Sequence, residues 1–389
     1  MNTIRQTILL FCLFGTLSLH AQTADQFFFQ GQQAYDLGQL AEAEIYFSRA
    51  VELSPGHLRA YFNRGLTLLE AGQFTAARRD FEFMVRAEPS DSESWLLLGD
   101  CLVALSEPDP ALEVYGYSID LYPTAAAYAA RGKLHLSQHR TDQADHDFRA
   151  ALNIEPNNPD ALAGLGAVAL VSNRAEAALD HFDQALRYLA DDADIWYNRA
   201  QACVQLQQYR AAALDLKQAL LLDDSSSDAY ALLGLCELKK ENIEAAILNA
   251  RRARRMDKEN GMAWYVLAEI SRTEQDFEWA LNHYDMALTA EPNNADFYYR
   301  RGEMAYNAGF LEAARLDWLR VSELEPDNAL VAERLRDLQF ALSEDTFQND
   351  RARARFEESL SAAVPVTEET VHEELMSGSA EFQVNIFEQ

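Results

Sequence analysis

The sequence is poor in cysteine, and the cysteines it has are not arranged for cross-linking. Of the 4 cysteines, Cys12 lies in an apolar N-terminal run, and Cys101, Cys203 and Cys236 are far apart. Three widely spaced cysteines argue against a framework of disulfides. We therefore predict that these three are small, buried apolar residues, and the alternative of reactive thiols stays open.

Basic residues are also scarce. The chain has 33 Lys and Arg against 62 Asp and Glu, which gives a formal net charge of -29. Binding to nucleic acid needs Lys and Arg to displace the counterions around phosphates, and an excess of carboxylates repels anionic membrane surfaces. The composition therefore argues against nucleic acid as a partner and favours cationic partners.

An apolar stretch long enough to cross a bilayer is missing as well. The apolar run at residues 8–19 is shorter than the ~20 residues that a spanning helix needs. With Arg5 before it and Ala21 after it, the run resembles a Gram-negative secretory signal peptide, residues 1–21. We predict an exported, periplasmic protein that is not integral to the membrane. Association with envelope complexes, secretion, peripheral attachment to the outer membrane and a buried N-terminal helix remain alternatives.

What the sequence does contain is a repeat of 34 residues in nine copies, with one residue missing after Pro123. One position, the small slot, holds only Gly or Ala: Gly31, Gly65, Gly99, Gly132, Gly166, Ala200, Gly234, Ala268 and Gly302. Sixteen residues later comes the aromatic slot, with Phe47, Phe81, Tyr115, Phe148, Phe182, Leu216, Ala250, Tyr284 and Trp318. Every copy also has Ala twelve residues after the small slot, and eight of nine have an aromatic residue four residues before it.

Apolar residues at helical spacing predict two amphipathic helices in each copy. Small residues let the two helices of a hairpin approach closely, and large side chains fill the remaining space. Copy seven has Ala250 in the aromatic slot, so we predict that it packs less tightly. Copies five to seven lack the proline that ends the other second helices, which predicts a bend between about residues 187 and 262. Asp and Ser caps that keep these turns stiff are the alternative.

These residues at fixed offsets resemble the tetratricopeptide repeat family over residues 24–328. The resemblance implies an all-α, right-handed superhelical solenoid of about nine helical hairpins plus a capping helix, with first helices lining a concave groove. The predicted solenoid spans residues 22–342, with repeats at 24–57, 58–91, 92–124, 125–158, 159–192, 193–226, 227–260, 261–294 and 295–328 and a cap at 329–342. Residues 343–389 form a Glu-rich tail, which we predict to be disordered.

The sequence shows no spacing typical of an enzyme. No Ser-His-Asp, Cys-His or phosphate-loop motif stands in a suitable context, so we predict no catalytic residues and no cofactor. The weak candidate for a metal site is His135 with His139, because residues four apart lie on one face of a helix. His139, however, falls in a predicted turn.

Copy seven holds a group of basic residues, the basic patch: Lys239, Lys240, Arg251, Arg252, Arg254 and Arg255. Two interpretations compete. The patch is either a solvated helix face whose long stems cover apolar surface, or a site for an acidic ligand, for which the Glu-rich tail is a candidate.

The groove positions of the family, carried over to this sequence, predict partner-binding residues. They are Phe28, Gln32, Tyr35, Arg59, Phe62, Asn63, Tyr197, Asn198, Gln201, Tyr265, Arg272, Tyr299, Arg300 and Tyr306. Rings supply contact area, and guanidinium or amide groups bond to a ligand backbone; mutual packing between first helices is the alternative use. We predict a non-enzymatic scaffold or assembly adaptor that binds protein or peptide partners. The alternatives are a periplasmic chaperone for exported or outer-membrane proteins and an accessory subunit of a metal-dependent enzyme.

Overall fold

The computed structural model describes residues 23–344, and every regular element in that range is an α-helix. The helices are α1 (Ala24–Asp36), α2 (Leu40–Leu53), α3 (Leu58–Glu70), α4 (Phe74–Ala87), α5 (Ser92–Ala104), α6 (Pro108–Leu121), α7 (Ala125–Ser137), α8 (Thr141–Ile154), α9 (Pro159–Val171), α10 (Ala175–Ala185), α11 (Ala193–Gln205), α12 (Tyr209–Leu222), α13 (Ser227–Lys239), α14 (Ile243–Met256), α15 (Gly261–Thr273), α16 (Phe277–Ala290), α17 (Ala295–Asn307), α18 (Leu311–Leu324) and α19 (Ala329–Glu344). Odd-numbered helices up to α17 are the first helices of the repeats, and even-numbered ones are the second helices. The predicted all-α repeat fold is confirmed.

Each first helix begins at a side chain that caps it. The caps are Thr23, His57, Asp91, Thr124, Asn158, Asp192, Ser226, Asn260 and Asn294, and each accepts a hydrogen bond from a backbone N–H of the first turn. Three of them, Asp192, Ser226 and Asn260, follow the second helices that have no proline after them. A cap of this kind contributes about 1 kcal/mol to the stability of a helix. The start of the next helix is therefore fixed after these turns even though they lack proline.

Each hairpin turns at one residue with a left-handed backbone. Three repeats use glycine there, Gly38, Gly72 and Gly309, and the other six use Ser106, His139, Asn173, Gln207, Glu241 and Gln275. Only glycine adopts this conformation without a steric cost from Cβ. Six turns therefore carry backbone strain.

The small slot packs directly against the aromatic slot of the same hairpin. A Cβ built on Gly31 would lie 2.6 Å from the Phe47 ring, and one built on Gly99 would lie 2.3 Å from the Tyr115 ring. Those two rings are at most 2 % exposed. The glycine thus sets how close the two helices come, and the ring fills the space between them.

Repeat seven closes this space without a ring. Ala250 is fully buried, and a Cβ built on Gly234 would lie 3.3 Å from the backbone of α14, at Ala246 O and Ala250 N. With small residues on both sides, α13 and α14 approach until their backbones are nearly in contact. The prediction that this repeat packs less tightly is therefore wrong.

Four repeats join their two helices with a buried ion pair between residues sixteen apart. The pairs are Arg64–Asp80, Arg131–Asp147, Arg199–Asp215 and Arg301–Asp317. In each pair, two guanidinium nitrogens donate to the two carboxylate oxygens over 2.6–2.9 Å. Four other repeats have Leu in place of the Arg and no Asp opposite it, so the pair occurs as a unit or is absent.

The chain divides into two compact units, unit 1 (residues 1–190) and unit 2 (residues 191–389). Within the described residues, unit 1 holds α1 to α10 and unit 2 holds α11 to α19. In unit 2, α19 covers the last hairpin with Val331 and Leu338, both fully buried against the cluster around Trp318. The helix runs to Glu344, two residues into the predicted tail, and the prediction of disorder for residues 345–389 lies outside the described residues.

Candidate functional site

Two of the predicted groove residues are part of the hydrophobic core. Phe28 is 1 % exposed, with its ring centroid 5.8 Å from that of Phe47 and 5.1 Å from that of His57. Tyr265 is 3 % exposed and stacks on Phe297 at 4.8 Å. Assigning these two rings to partner contact was wrong, because their surfaces are already covered by the chain itself.

The other predicted residues of unit 1 stay at the surface or half-buried. Gln32 and Arg59 are exposed, and the Arg59 guanidinium lies 4.6 Å from the Phe28 ring centroid. Asn63 is half-buried and donates to the Arg59 carbonyl at 2.8 Å. The Tyr35 hydroxyl bonds to Glu70 on the next first helix; burial and this carboxylate raise the pKa of Tyr35 to about 12.

Phe62 belongs to an apolar strip on the first helices of repeats two and three. We name it the leucine face, and its members are Phe62, Leu66, Leu69, Leu96 and Val103. Spacings of three, four and seven residues place the members from α3 on one side of that helix and those from α5 on one side of the other. The first four are half-buried and pack on the core cluster around Phe81 and Tyr115, and Val103 is 40 % exposed.

Charged and polar groups lie within and beside the leucine face. Asp100, half-buried between Leu96 and Val103 on α5, accepts a hydrogen bond from the Tyr115 hydroxyl at 2.7 Å. Burial raises the pKa of Asp100, against the opposing effects of that hydrogen bond and of Lys133. Lys133 on α7 is exposed and pairs with Asp160. An apolar strip with a polar border is what a segment with one apolar side needs.

In unit 2 the predicted residues of repeat six are half-buried and bonded to one another. Gln201 donates to the Tyr197 hydroxyl at 3.1 Å, and burial together with Asp228 raises the pKa of Tyr197 to about 12. Asn198 is half-buried beside them. These side chains retain part of their surface.

The predicted residues of repeats eight and nine are held by a network of charges. Arg272 donates to Glu269 at 2.8 Å, and the Tyr284 hydroxyl donates to the same carboxylate. Burial would raise the pKa of Glu269, but these two hydrogen bonds and the arginines lower it.

Tyr299, Arg300 and Tyr306 are half-buried at the edge of this network. Arg300 lies 3.6 Å from Asp296, and the Tyr306 ring packs 5.5 Å from Trp318. Arg272 and Arg300 thus pair along their own helices, and Tyr306 packs on the second helix of its repeat. Packing between first helices, the alternative use of these positions, is seen for Tyr265 on Phe297.

The basic patch does not act as one surface. Arg254 is 7 % exposed with its guanidinium 4.9 Å from the Trp264 ring centroid, so its assignment to the patch is wrong. Arg252 stacks over Tyr230 at 4.2 Å and lies 3.5 Å from Asp224. Lys239, Arg251 and Arg255 are exposed, and Lys240 is half-buried. The patch is divided between the end of α13 and the outer side of α14.

The two histidines suggested for a metal lie in different settings. His135 is on α7 with Nε2 3.8 Å from Asp147, and burial lowers its pKa. His139 is exposed at the left-handed turn. Within residues 23–344, no three His, Cys, Asp or Glu side chains are grouped so that they could hold a metal ion.

Comparison with known families decides where the chain belongs. One family model described as "Tetratricopeptide repeat" matches residues 29–81, 62–126, 197–250, 237–294 and 272–329, and a second of the same description matches residues 135–202. The chain belongs to the tetratricopeptide repeat family. Its small slots, aromatic slots and hairpin turns are therefore features of a tetratricopeptide repeat array, and this membership supports a protein-binding scaffold.

Curated relatives are similar at low identity. Mouse DnaJ homolog subfamily C member 7 is 23% identical over 84% of this chain and 64% of its own length. Human mitochondrial import receptor subunit TOM70 is 26% identical over 57% of this chain and 32% of its own length. Anaphase-promoting complex subunit 3 of Schizosaccharomyces pombe is 21% identical over 65% and 38%. The chain thus spans between about a third and two thirds of the length of these relatives.

Solved structures of tetratricopeptide repeat arrays share the fold. The APC/C hetero-tetramer Cut9-Hcn1 matches with a TM-score of 0.56 at 14% identity, over 86% of this chain and 81% of that one. A tetratricopeptide repeat protein from Parabacteroides merdae matches with a TM-score of 0.50 at 17% identity, over 64% and 98%. No helix among residues 23–344 is long and apolar enough to span a bilayer.

Proposed function

We propose that the protein is a non-enzymatic interaction scaffold that binds a peptide segment or partner helix on the leucine face of unit 1. The observation that carries the proposal is this strip of five apolar side chains, which the core leaves half-buried or exposed on a chain with a formal charge of -29. Contiguous apolar surface with a polar border marks a site of protein contact. Membership of the tetratricopeptide repeat family supports the same class of function.

The chemistry of the face sets the kind of partner. Phe62, Leu66 and Leu69 offer area for apolar side chains three or four residues apart, the spacing of one side of a partner helix. Arg59 is exposed near one end and favours a carboxylate there. Lys133, exposed near the other end, would exchange its pairing with Asp160 for a carboxylate of the partner. The expected partner is an amphipathic segment with leucine-like anchors and acidic flanks.

The setting that we propose for this scaffold is the periplasm, with secretion or peripheral attachment to the outer membrane as the other locations. The support is the secretory layout of residues 1–21, which lie outside the described residues. The proposal of a role as an assembly adaptor rests on membership of the tetratricopeptide repeat family.

The test is selection of random twelve-residue peptides, displayed on phage, against the immobilised chain and three variants. Phe62→Ser with Leu66→Ser removes the centre of the leucine face. Val103→Asp alters its most exposed member and so is the safer change for folding. Leu214→Ser with Leu248→Ser is the matched control, because these leucines are 69 % and 64 % exposed on second helices of unit 2.

A peptide family with apolar residues at helical spacing should be enriched by the native chain and by the control, and lost on the first two variants. Circular dichroism confirms that each variant is folded. Equal enrichment on all four proteins would refute the assignment of the site. Enrichment of many unrelated apolar sequences through the leucine face would instead favour the chaperone function, whose clients share apolarity but no motif.

A further inference from the structure

Unit 2 contains an open cleft between the turns of repeats six and seven. Its volume is about 690 Å³, and it is lined by Gln207, Gln208, Tyr209, Arg210, Ala211, Lys239, Lys240 and Glu241. One wall is the start of α12 and the other is the end of α13. Volumes of this order hold a ligand of drug size, which is comparable to two or three amino-acid residues of a longer peptide.

The cleft gathers positive charge on a strongly acidic chain. Its lining residues carry three cations, Arg210, Lys239 and Lys240, against the single carboxylate of Glu241. Arg210 and Lys239 are exposed, and within residues 23–344 neither makes an ion pair or a side-chain hydrogen bond. Two cations from two different helices are therefore available to a ligand that lies across the cleft.

The third cation is fixed in place by a buried carboxylate. Glu237 is 2 % exposed and receives Lys240 at 2.9 Å and Lys217 at 3.2 Å. Burial would raise the pKa of Glu237, but hydrogen bonds from Lys240, Lys217 and Asn242 lower it. Since Glu237 remains ionised, it holds Lys240 at the cleft wall, while the neighbouring Lys239 makes no ion pair with any residue from 23 to 344.

The walls also supply apolar and hydrogen-bonding surface. Tyr209 is half-buried and presents part of its ring, and the exposed amides of Gln207 and Gln208 lie beside it. Gln208 makes no side-chain hydrogen bond to the start of α12, so the first backbone N–H groups of that helix add donors to the same wall. Donors and cations on both walls suit a ligand with several acceptors rather than one small anion.

We propose that this cleft binds an acidic peptide segment of a separate protein, with at least two carboxylates on either side of an aromatic or aliphatic side chain. The carboxylates pair with Arg210 and Lys239, and the apolar side chain packs on Tyr209. The site is independent of the leucine face, which lies in unit 1. The protein then holds two partners, or two segments of one partner.

The experiment measures fluorescence anisotropy of a labelled nine-residue peptide with one Phe between two runs of four Glu, which lacks the repeated apolar side chains that the leucine face needs. The control peptide has Gln in place of every Glu. The proteins are the native chain, Arg210→Glu with Lys239→Glu, and Arg251→Glu with Arg255→Glu. The last variant makes the same change of charge on the outer side of α14, away from the cleft. Circular dichroism checks that all three are folded.

The cleft variant should bind the acidic peptide at least about ten-fold more weakly, the α14 variant should change by less than about three-fold, and the Gln peptide should not bind. Equal losses in both variants would show attraction by net charge alone and overturn the site, as would no loss in the cleft variant. The variant Phe62→Ser with Leu66→Ser should bind normally, so failure of one site is distinguishable from failure of the other.

The chain's own Glu-rich segment is the competing occupant. A full-length variant with Glu→Gln at Glu357, Glu358, Glu368, Glu369, Glu373 and Glu374 tests it. Unchanged affinity for the labelled peptide supports a separate partner. Binding about ten-fold tighter than that of the native chain would overturn that part of the proposal and assign the cleft to the chain's own tail.

Discussion

Single residues at the hairpin turns show where this repeat array departs from its most stable form. Six of nine turns place a residue other than glycine in the left-handed conformation, where Cβ approaches the next carbonyl oxygen. The three glycines at the same position have no atom within 4 Å of where a Cβ would lie. A side chain at this position would therefore clash with no neighbouring residue, and its unfavourable energy would come from the backbone conformation alone. The three glycine turns show that a hairpin of this kind packs without a side chain at this position.

Glycine at a strained turn should therefore stabilise the fold. We expect Ser106→Gly and Gln275→Gly each to raise the free energy of unfolding by about 0.5–1 kcal/mol, because relief of strain exceeds the added entropy of glycine. Urea unfolding at pH 7.5 measures the change. Gly72→Ser is the reverse control and should lower stability by a similar amount; a loss in all three variants would mean that the turn side chains make stabilising contacts.

A second residue-scale effect is the buried histidine of α16. His283 is 7 % exposed between Trp264 and Trp279, with both ring centroids 5.7 Å away and Ser271 Oγ 3.3 Å from Nδ1. Burial lowers the pKa of His283 to about 4, helped by Arg254 and Arg251 and opposed by the Leu267 backbone and Asp276. The fold thus requires the neutral imidazole.

Stability should fall as the pH drops from about 6.5 towards 4. In that range the unfolded chain takes up a proton on His283 and the folded chain does not. The stability that the neutral imidazole contributes is therefore complete above pH 6.5 and is lost by about pH 4. The contribution amounts to about 3 kcal/mol at most. Urea unfolding of the native chain and of His283→Gln at several pH values gives the difference; parallel pH profiles would contradict the assignment.

At the scale of the helices, the Arg–Asp pairs show how four hairpins keep a charged carboxylate inside the protein. Asp80 is 3 % exposed, and Arg64 bonds to it through two nitrogens at 2.6 and 2.7 Å. Hydrogen bonding to Asp80 is the largest cause of the raised pKa of Arg64, so the guanidinium stays charged. Repeat three places Leu98 and Val114 at the same two positions.

The pair should be replaceable only as a unit. Asp80→Val leaves a guanidinium half-buried without its carboxylate and should lower the free energy of unfolding by about 3 kcal/mol. Arg64→Leu with Asp80→Val copies repeat three and should come within about 1 kcal/mol of the native chain. Urea unfolding measures both, with Arg64→Leu alone completing the cycle. If the double variant is as unstable as Asp80→Val, the pair stabilises the hairpin by more than the neutralisation of each charge by the other.

Repeat seven gives a prediction in which sequence pattern and structure disagree. Phe at position 250 would match the repeat pattern. However, α13 and α14 are so close that a Cβ built on Gly234 would lie only 3.3 Å from the backbone of α14. We expect Ala250→Phe to lower the free energy of unfolding by about 2 kcal/mol, because the ring must push the helices apart. Leu248→Phe, at a side chain 64 % exposed, is the control and should be neutral. A gain from Ala250→Phe would restore the looser-packing interpretation.

The helices and their pairing could be predicted from the sequence, but the candidate binding site could be predicted only in part. The 34-residue period, the small slot and its ring are local patterns, so helices and pairing could be read directly. Exposure depends on how neighbouring hairpins stack, which a local pattern does not carry. The prediction that Phe28 and Tyr265 lie at a surface is therefore wrong, because the core covers both rings. The signal for the leucine face, Leu66 and Leu69 at helical spacing after Phe62, was present but is the same signal that a buried face gives.

At the scale of the whole molecule, the proposed export would place three buried cysteines in an oxidising compartment. Cys101 and Cys236 are fully buried and Cys203 is 4 % exposed. Burial raises the pKa values of Cys101 and Cys236 to about 12, which keeps them as unreactive thiols. The prediction of small buried residues is confirmed, and we expect the folded chain to keep these cysteines as thiols in an oxidising compartment.

Export itself is the remaining whole-molecule prediction. Expressed in a Gram-negative host, the chain should be recovered from the periplasmic fraction with an intact mass that lacks residues 1–21 and starts at Gln22. Leu10→Arg with Leu13→Arg interrupts the apolar run and should leave the full-length chain in the cytoplasm. A periplasmic chain that retains its N-terminus would point to an uncleaved anchor. A native chain that stays unprocessed in the cytoplasm would remove the support for a scaffold of the cell envelope, whereas the leucine face and the cleft would still stand as binding sites.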